Sequence, residues 1–239
     1  MKKLTLLFFS IFASFTTMAQ ISQQNAAWLL WQHSQKTSTK TSFNLDLLLR
    51  SNNDFNDLRN FLIRPSFSYQ LAKNLTSTAG YLYSNTKTYA SGNQKSHLSE
   101  NMIFEQLGLT YKVKSVNSIL RLRLEQRFIE QQTANIFSQR ARLLSRFVIP
   151  LAKRDSSSFD KGNYFSLQDE VFFNIQNKEK LNAHFYDQNR FLVGLGHKFN
   201  PQLDLELAYM GQSIKRNYTT IYNNIIQLSV RTQLNHHKN

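Results

Sequence analysis

The feature that most constrains this chain is a hydrophobic pattern of period two that recurs along almost its whole length. In the segment 118–129, leucines at every second position alternate with arginines and a glutamate. Successive side chains of a β-strand point to opposite faces, so such a segment has one apolar and one polar face. Polar, turn-rich stretches separate these segments. The pattern therefore predicts an all-β fold.

Eleven segments follow this pattern, and the first of them, which contains Trp28 and Trp31, follows it least well. Bacterial membrane barrels normally have an even number of strands. We therefore expect either that the Trp28 segment lies outside a ten-stranded barrel or that a further strand makes twelve, and we favour twelve. The segments are 27–33, 42–50, 61–71, 75–85, 103–112, 118–129, 138–151, 164–175, 189–199, 203–212 and 224–234.

The links between segments alternate in length. The links 72–74, 113–117 and 200–202 are short, whereas 51–59, 86–100, 130–137, 176–188 and 213–223 are longer and polar. Transmembrane barrels have short periplasmic turns and long outer loops. This predicts that Lys95 and Lys178 lie outside the cell and Lys73 in the periplasm. The link 152–163 departs from the rule because it is long at a periplasmic position.

Period two alone does not separate a membrane barrel from a soluble β-sandwich or a lipocalin-like barrel, because either face could point inward. The alternation of link lengths favours the membrane, as do long strands and aromatic residues near strand ends. The negative mean hydropathy of -0.44 does not conflict, since transmembrane strands alternate apolar and polar residues. We predict an antiparallel transmembrane β-barrel of about 10 to 12 strands.

The first nineteen residues resemble a secretory signal peptide: Lys2 and Lys3 precede an apolar run at 4–15, and Thr17-Met18-Ala19 forms a cleavage site. We expect residues 1–19 to be removed and 20–239 to form one outer-membrane domain. The chain has no cysteine, which excludes a disulfide framework. The expected location is the bacterial outer membrane, with its lipid, its lipopolysaccharide and the barrel-assembly machinery as partners.

The net charge of +14 becomes +12 once Lys2 and Lys3 are removed. Such a balance suits nucleic acid, an anionic membrane surface or acidic ligands, and the export signal argues against nucleic acid. Basic residues in the predicted loops contact lipid A phosphates on one interpretation and form a solvated surface on the other. They are Lys87, Lys95, Lys178, Lys180, Lys215 and Arg216.

If the apolar side chains face lipid, the polar face places many arginines and several carboxylates in the lumen. One interpretation is an interlocked ion-pair network, since a buried charge needs a partner. The other is a wet path that favours anions, because rings of arginine select them. The candidate lumen residues are Arg64, Arg121, Arg123, Glu125, Arg127, Arg140, Arg142, Arg146, Glu170, Arg190, Asp204, Glu206 and Arg231, with Asp46 among them.

An alternative function is a lipid-directed acyl hydrolase or transferase, in which a histidine at the rim activates a serine. His97 and His184 lie in or beside predicted loops, whereas His236 and His237 lie in the terminal tail. The chain has no Gly-x-Ser-x-Gly motif, and only the His236–His237 tail weakly suggests metal binding. We therefore predict a barrel that is not an enzyme and has no catalytic residue, metal site or cofactor.

Five blocks of the sequence resemble the successive blocks of an uncharacterised family of Bacteroidetes-type bacteria, a domain of unknown function, family twenty-four ninety. The resemblance implies an outer-membrane barrel and no particular activity. One departure is that the last strand ends at Leu234, followed by Asn-His-His-Lys-Asn, whereas barrels usually end in an aromatic residue. The blocks are SENMIFEQL at 99–107, LRLRLEQRF at 120–128, LQDEVFFN at 167–174, FYDQNR at 185–190 and LELAYM at 205–210.

Overall fold

The computed structural model describes residues 21–53, 55–89, 95–130, 135–151 and 159–234. Within these ranges eleven strands form one closed sheet, so the predicted all-β barrel is confirmed. No helix in this part of the chain is long and apolar enough to cross a membrane. The strands are β1 Ile21–Lys36, β2 Thr41–Ser51, β3 Leu58–Ala72, β4 Leu75–Tyr89, β5 Lys95–Val113, β6 Val116–Glu130, β7 Asn135–Pro150, β8 Gly162–Gln176, β9 Tyr186–Asn200, β10 Leu203–Lys215 and β11 Thr220–Leu234.

Closure of the barrel depends on the segment that contains Trp28. This segment forms β1 and pairs with both β2 and β11, so placing it outside a ten-stranded barrel is wrong. The favoured count of twelve strands is also wrong. With eleven strands in an up-and-down order, the first and last run in the same direction. They therefore close the barrel through a parallel ladder, from Ile21 beside Thr220 to Gln35 beside Leu234. The other neighbouring strands pair antiparallel, as predicted.

The two ends of the barrel differ in their links. We call one the loop end, with the links 52–57, 177–185 and 216–219, and the other the turn end, with 37–40, 73–74, 114–115 and 201–202. Most strands run further than the hydrophobic pattern indicated, because outward positions near the rims become polar, as at Ser99 and Asn101 on β5, and the alternation fades there. The unusual long link at 152–163 falls mainly on residues outside the described ranges, as does the predicted signal peptide.

The outward face of the barrel is apolar and exposed, whereas the buried inward face carries charged side chains on several strands. On β6, Leu122 has 47% of its surface exposed, while its neighbour Arg123 has 3% and Glu125 has 1%. Outward side chains on other strands behave in the same way, for example Phe67 at 65% and Leu195 at 61%. This is the reverse of the distribution in a water-soluble protein.

Two inward glycines make room for large aromatic side chains on the neighbouring strand. Gly196 on β9 pairs with Tyr164 on β8, and a Cβ atom at Gly196 would lie 2.1 Å from the Tyr164 ring. Gly80 on β4 is related in the same way to Phe104 on β5, with 2.5 Å to that ring. The rings therefore lie flat against the wall instead of filling the lumen, and both are almost completely buried.

The interior has two regions, and each is formed by neighbouring strands. Six arginines and two glutamates point inward from β6, β7 and β8, and we call these eight residues the charged arc: Arg121, Arg123, Glu125, Arg127, Arg140, Arg142, Arg146 and Glu170. The other eight strands contribute a cluster of buried apolar side chains, which we call the apolar arc. It consists of Trp28, Leu48, Leu62, Leu82, Met102, Leu192, Ala208, Met210 and Ile225, with Ala26 and Leu30 packed against it.

Candidate functional site

The centre of the charged arc is a pair of buried glutamates that share one arginine. Arg142 on β7 donates through Nη1 to Glu125 at 2.7 Å and through Nη2 to Glu170 at 2.8 Å. Arg140 donates to the other oxygen of Glu125 at 2.8 Å, and Arg121 donates to Glu170 at 2.6 Å. Each glutamate thus binds at least two guanidinium groups. Charge-assisted hydrogen bonds of this kind are the strongest that side chains form.

A second cluster of charges lies nearer the turn end, around Glu206 on β10. Glu206 accepts hydrogen bonds from Arg146 on β7 and, at 2.9 Å, from Arg231 on β11. Arg231 also lies 3.1 Å from a carboxylate oxygen of Asp204. The Tyr164 hydroxyl donates a hydrogen bond to the same carboxylate at 2.7 Å. The cluster connects β7, β8, β10 and β11 across the lumen. It therefore holds together strands that are not neighbours in the sheet, such as β7 and β10.

Three further arginines have local partners. Arg64 forms an ion pair with Asp46 on the adjacent strand, and Arg127 forms a two-pronged pair with Glu100 at 2.6 and 3.1 Å. Arg123 donates twice to the neutral side chain of Gln106, at 3.0 and 2.6 Å. Its guanidinium also lies over the Phe104 ring, 4.4 Å from the centroid.

Aromatic rings connect the charged arc to the apolar arc. Phe172 on β8 is fully buried, and three guanidinium carbons lie over its ring: Arg142 at 4.3 Å, Arg190 at 4.8 Å and Arg140 at 5.2 Å from the centroid. Arg190 also lies 5.2 Å from the ring centroid of Trp28 on β1, and Arg50 lies 4.2 Å from it. Cations over aromatic faces are attracted by the ring quadrupole.

Two cavities within the described part of the barrel interior share some of their lining residues. The loop-end cavity has a volume of about 760 Å³ and reaches the links 52–57 and 177–185. The turn-end cavity has a volume of about 370 Å³ and reaches the link 201–202. Five residues line both cavities, and we define the waist by them: Gln32, Asp46, Arg64, Arg121 and Arg231.

All thirteen candidate lumen residues predicted from the sequence face the barrel interior. The structure brings twelve of them into ion pairs, and Arg190 is the exception, since no carboxylate pairs with it within the described ranges. Asp46, which was placed with them, pairs with Arg64.

Sequence reasoning missed four interior residues that matter. Glu100 and Asp187 were assigned to loops, although they lie on β5 and β9 and pair with Arg127 and Arg140. Arg50 was placed on the polar face of its strand but not among the candidates. Trp28 was missed because its segment alternates poorly. Extending each predicted segment by three residues at its ends would have included both Glu100 and Asp187.

The histidines do not form serine pairs within the described ranges. Their nearest hydrogen-bond partners are amides, a hydroxyl of threonine and a backbone carbonyl. His236 and His237 lie outside these ranges, and no group of three or more metal-binding side chains occurs inside them. The contacts are His33 with Thr232 at 2.9 Å, His97 with Asn85 at 2.8 Å, His184 with the Asn217 carbonyl at 3.5 Å and His197 with Asn163 at 2.5 Å.

Comparison with known proteins identifies the family but not an activity. A search of the curated proteins found no match. A family model described as "Protein of unknown function (DUF2490)" matches residues 25–223, which include all of β2 to β10 and most of β1. The match agrees with the family inferred from the five sequence blocks. The chain therefore belongs to the DUF2490 family.

Proposed function

We propose that this protein is an outer-membrane β-barrel with a structural or passive-transport role and a charged, partly water-filled interior. The observation that carries the proposal is the distribution of side chains: apolar residues are exposed on the outside of the barrel, and paired charges are buried inside. A closed barrel leaves no unpaired strand edge, which is what a membrane-spanning sheet requires. Even the shortest strand, β2, has 11 residues, and about 9 to 11 tilted residues span a bilayer.

The unequal links support an orientation for this barrel. Short turns face the periplasm in membrane barrels of this kind, so the turn end with Lys73 is periplasmic and the loop end with Lys178 is outside the cell. In a barrel with an even number of strands both termini lie at the same end. With eleven strands they lie at opposite ends, so Ile21 is at the loop end and Leu234 at the turn end. The outer end carries Lys178, Lys180, Lys215 and Arg216, which suit lipid A phosphates, and assembly requires the barrel-assembly machinery.

Labelling of intact cells tests this orientation. The chain has no cysteine, so Lys178→Cys and Lys73→Cys each contain a single thiol. A maleimide that does not cross the membrane should label position 178 and not position 73, while lysed cells should label both. Labelling at position 73 alone would reverse the orientation, and equal labelling of both positions in intact cells would contradict the membrane-spanning barrel.

A second experiment tests whether the outward face meets lipid. Leu122→Arg on the outward face of β6 should cost about 2 to 4 kcal/mol of folding free energy in lipid vesicles if it lies at the bilayer midplane. The matched control is Tyr111→Arg, which faces outward near the turn end of β5, where the cost should be about 0 to 1 kcal/mol. Equal costs at the two depths would contradict the proposal.

The passive role is tested against the enzymatic alternative on the purified, refolded protein. We expect a small conductance that favours anions in planar bilayers, because arginines line the waist. We expect no lipid hydrolysis. A lipid-directed activity that is lost in His97→Ala or His184→Ala, without any conductance in the wild type, would replace the passive barrel with an acyl hydrolase or transferase.

A further inference from the structure

Two interior arginines, Arg50 and Arg190, form no ion pair with any carboxylate in the described ranges. The Nε atom of Arg50 is buried and has no hydrogen-bond partner. Arg190 lies 3.1 and 3.3 Å from the side-chain amide of Gln212, a neutral partner. Glu170 is beside Arg190 in the β8–β9 ladder but is held by Arg121 and Arg142. Both positive charges therefore remain available to an anion that enters the barrel.

The two free guanidinium groups are held at one place by Trp28. Their Cζ atoms lie 4.2 Å (Arg50) and 5.2 Å (Arg190) from the centroid of the Trp28 ring, which is 7% exposed. Contact with a ring fixes a guanidinium in space without neutralising its charge. Two such groups against one ring form a preorganised binding site for an acidic group, since arginine matches carboxylate and phosphate oxygens through paired hydrogen bonds.

The cavity beside these arginines also has an apolar wall. Leu48, Leu62, Met102 and Ile225 of the apolar arc line the same loop-end cavity as Arg50 and Arg190. Its volume of about 760 Å³ lies within the range of about 300 to 1,000 Å³ that is typical of small-molecule sites. A site that only attracted inorganic anions would not need this wall.

We propose that the loop-end cavity binds an organic anion whose acidic group contacts Arg50 and Arg190 and whose apolar body packs against Leu48, Leu62 and Met102. The ligand is therefore amphipathic, with a phosphate or carboxylate at one end and a hydrocarbon portion at the other. This goes beyond a passive barrel, because it concerns equilibrium binding to the folded chain. It stands whether or not the barrel conducts ions.

Tryptophan fluorescence provides a direct test. The chain has two tryptophans, so Trp31→Phe leaves Trp28 as the only reporter. The refolded single-tryptophan protein in a non-ionic detergent is titrated with hexyl phosphate, inorganic phosphate and hexanol. Hexyl phosphate should give a saturable change and bind more tightly than both others, with about threefold to fourfold gained per buried methylene group.

Variants in the same background separate the two halves of the site. Arg50→Gln and Arg190→Gln should each weaken hexyl phosphate binding about tenfold or more. Lys198→Gln, which removes one positive charge from the turn-end cavity, should leave it unchanged. Leu62→Ala should weaken binding of hexyl phosphate and not of inorganic phosphate.

Two results would overturn the proposal. One is the absence of saturable hexyl phosphate binding by the refolded wild-type lumen. The other is an affinity equal to that of inorganic phosphate, which would remove the role of the apolar wall. Far-UV circular dichroism checks that each variant refolds. If an arginine variant does not refold, the comparison of the three ligands and the Leu62→Ala result decide the matter. Loss of conductance alone would affect only the passive-transport role.

Discussion

The two arcs of the barrel interior stabilise the same wall in different ways. In the apolar arc each side chain packs against neighbours and needs no particular partner: Leu48, for instance, lies beside Leu62 in the β2–β3 ladder. In the charged arc each carboxylate depends on specific guanidinium groups, as Glu125 does on Arg140 and Arg142. Truncation in the first arc therefore removes contacts, whereas truncation in the second also leaves a charge uncompensated.

The largest effect is expected from Glu125→Ala in the charged arc. This change leaves Arg140 and Arg142 each with one remaining carboxylate and removes the carboxylate nearest to Arg123, 3.7 Å away. Removing one member of a buried ion pair commonly costs about 3 to 5 kcal/mol. The free energy of unfolding of the refolded barrel in urea should fall by that amount.

Glu130→Ala is the matched control, since Glu130 is exposed at the loop end of the same strand and, within the described ranges, accepts hydrogen bonds only from Ser99. Its effect should be within about 0.5 kcal/mol of zero. If the two substitutions have similar effects, the charged arc does not stabilise the barrel through its ion pairs.

The sequence predicted the strands well because outward side chains are mostly apolar, and many inward side chains outside the apolar arc are polar or charged. All eleven predicted segments correspond to strands. The strand count was misjudged because it relied on the preference for even numbers. Period two determines the faces of a strand but not whether the first and last strands are parallel. The pairing of Trp28 with Gln227 on β11 depends on contacts almost 200 residues apart.

The sequence predicted which residues face the lumen at the candidate site, but not which arginine pairs with which carboxylate. Alternation placed Arg121, Arg123 and Glu125 on one face, and the structure has them on one face. It does not indicate that Glu170 on β8 binds Arg121 on β6, because that contact crosses an intervening strand. Trp28 comes from the segment that alternates least clearly, so its cross-strand contact with Arg50 could not be predicted.

A smaller effect is expected from Leu48→Ala in the apolar arc. Leu48 is 8% exposed, and truncation of a buried leucine costs about 2 to 3 kcal/mol where the site partly adjusts. The loss should be smaller than for Glu125→Ala because no charge is left without a partner. Leu47→Ala on the outward face of the same strand is the control and should cost less in detergent, which replaces the lost contacts. A loss at Leu48 that exceeds the loss at Glu125 would reverse the ranking of the two arcs.

Substitutions at the waist should destabilise the barrel less than those in either arc. The waist ion pair, Arg64 with Asp46, borders both cavities. Arg64→Gln leaves Asp46 with a hydrogen bond from Gln32 at 3.4 Å and should cost about 1 to 2 kcal/mol. Adding Asp46→Asn should recover most of that loss, since both charges are then absent. Urea unfolding of the two variants measures this. A double variant that is no more stable than Arg64→Gln would show that the pair is not coupled.

The smallest effect is expected from Arg50→Gln, on β2 beside Trp28. Two contributions oppose each other. The change removes the contact of the guanidinium with the buried Trp28 ring, and such a contact is worth about 2 kcal/mol when the pair is desolvated. It also removes a positive charge that has no carboxylate partner in the described ranges and whose Nε atom lacks a hydrogen bond, and burying such a group is unfavourable. The free energy of unfolding without ligand should therefore change by no more than about 0.5 kcal/mol.

Arg142→Gln, which deprives Glu125 and Glu170 of a shared partner, should cost about 3 to 5 kcal/mol in the same assay. A loss above about 2 kcal/mol for Arg50→Gln would mean that Arg50 is already compensated by an anion in the purified protein, and the contrast between a neutralised and an uncompensated region of the lumen would not hold.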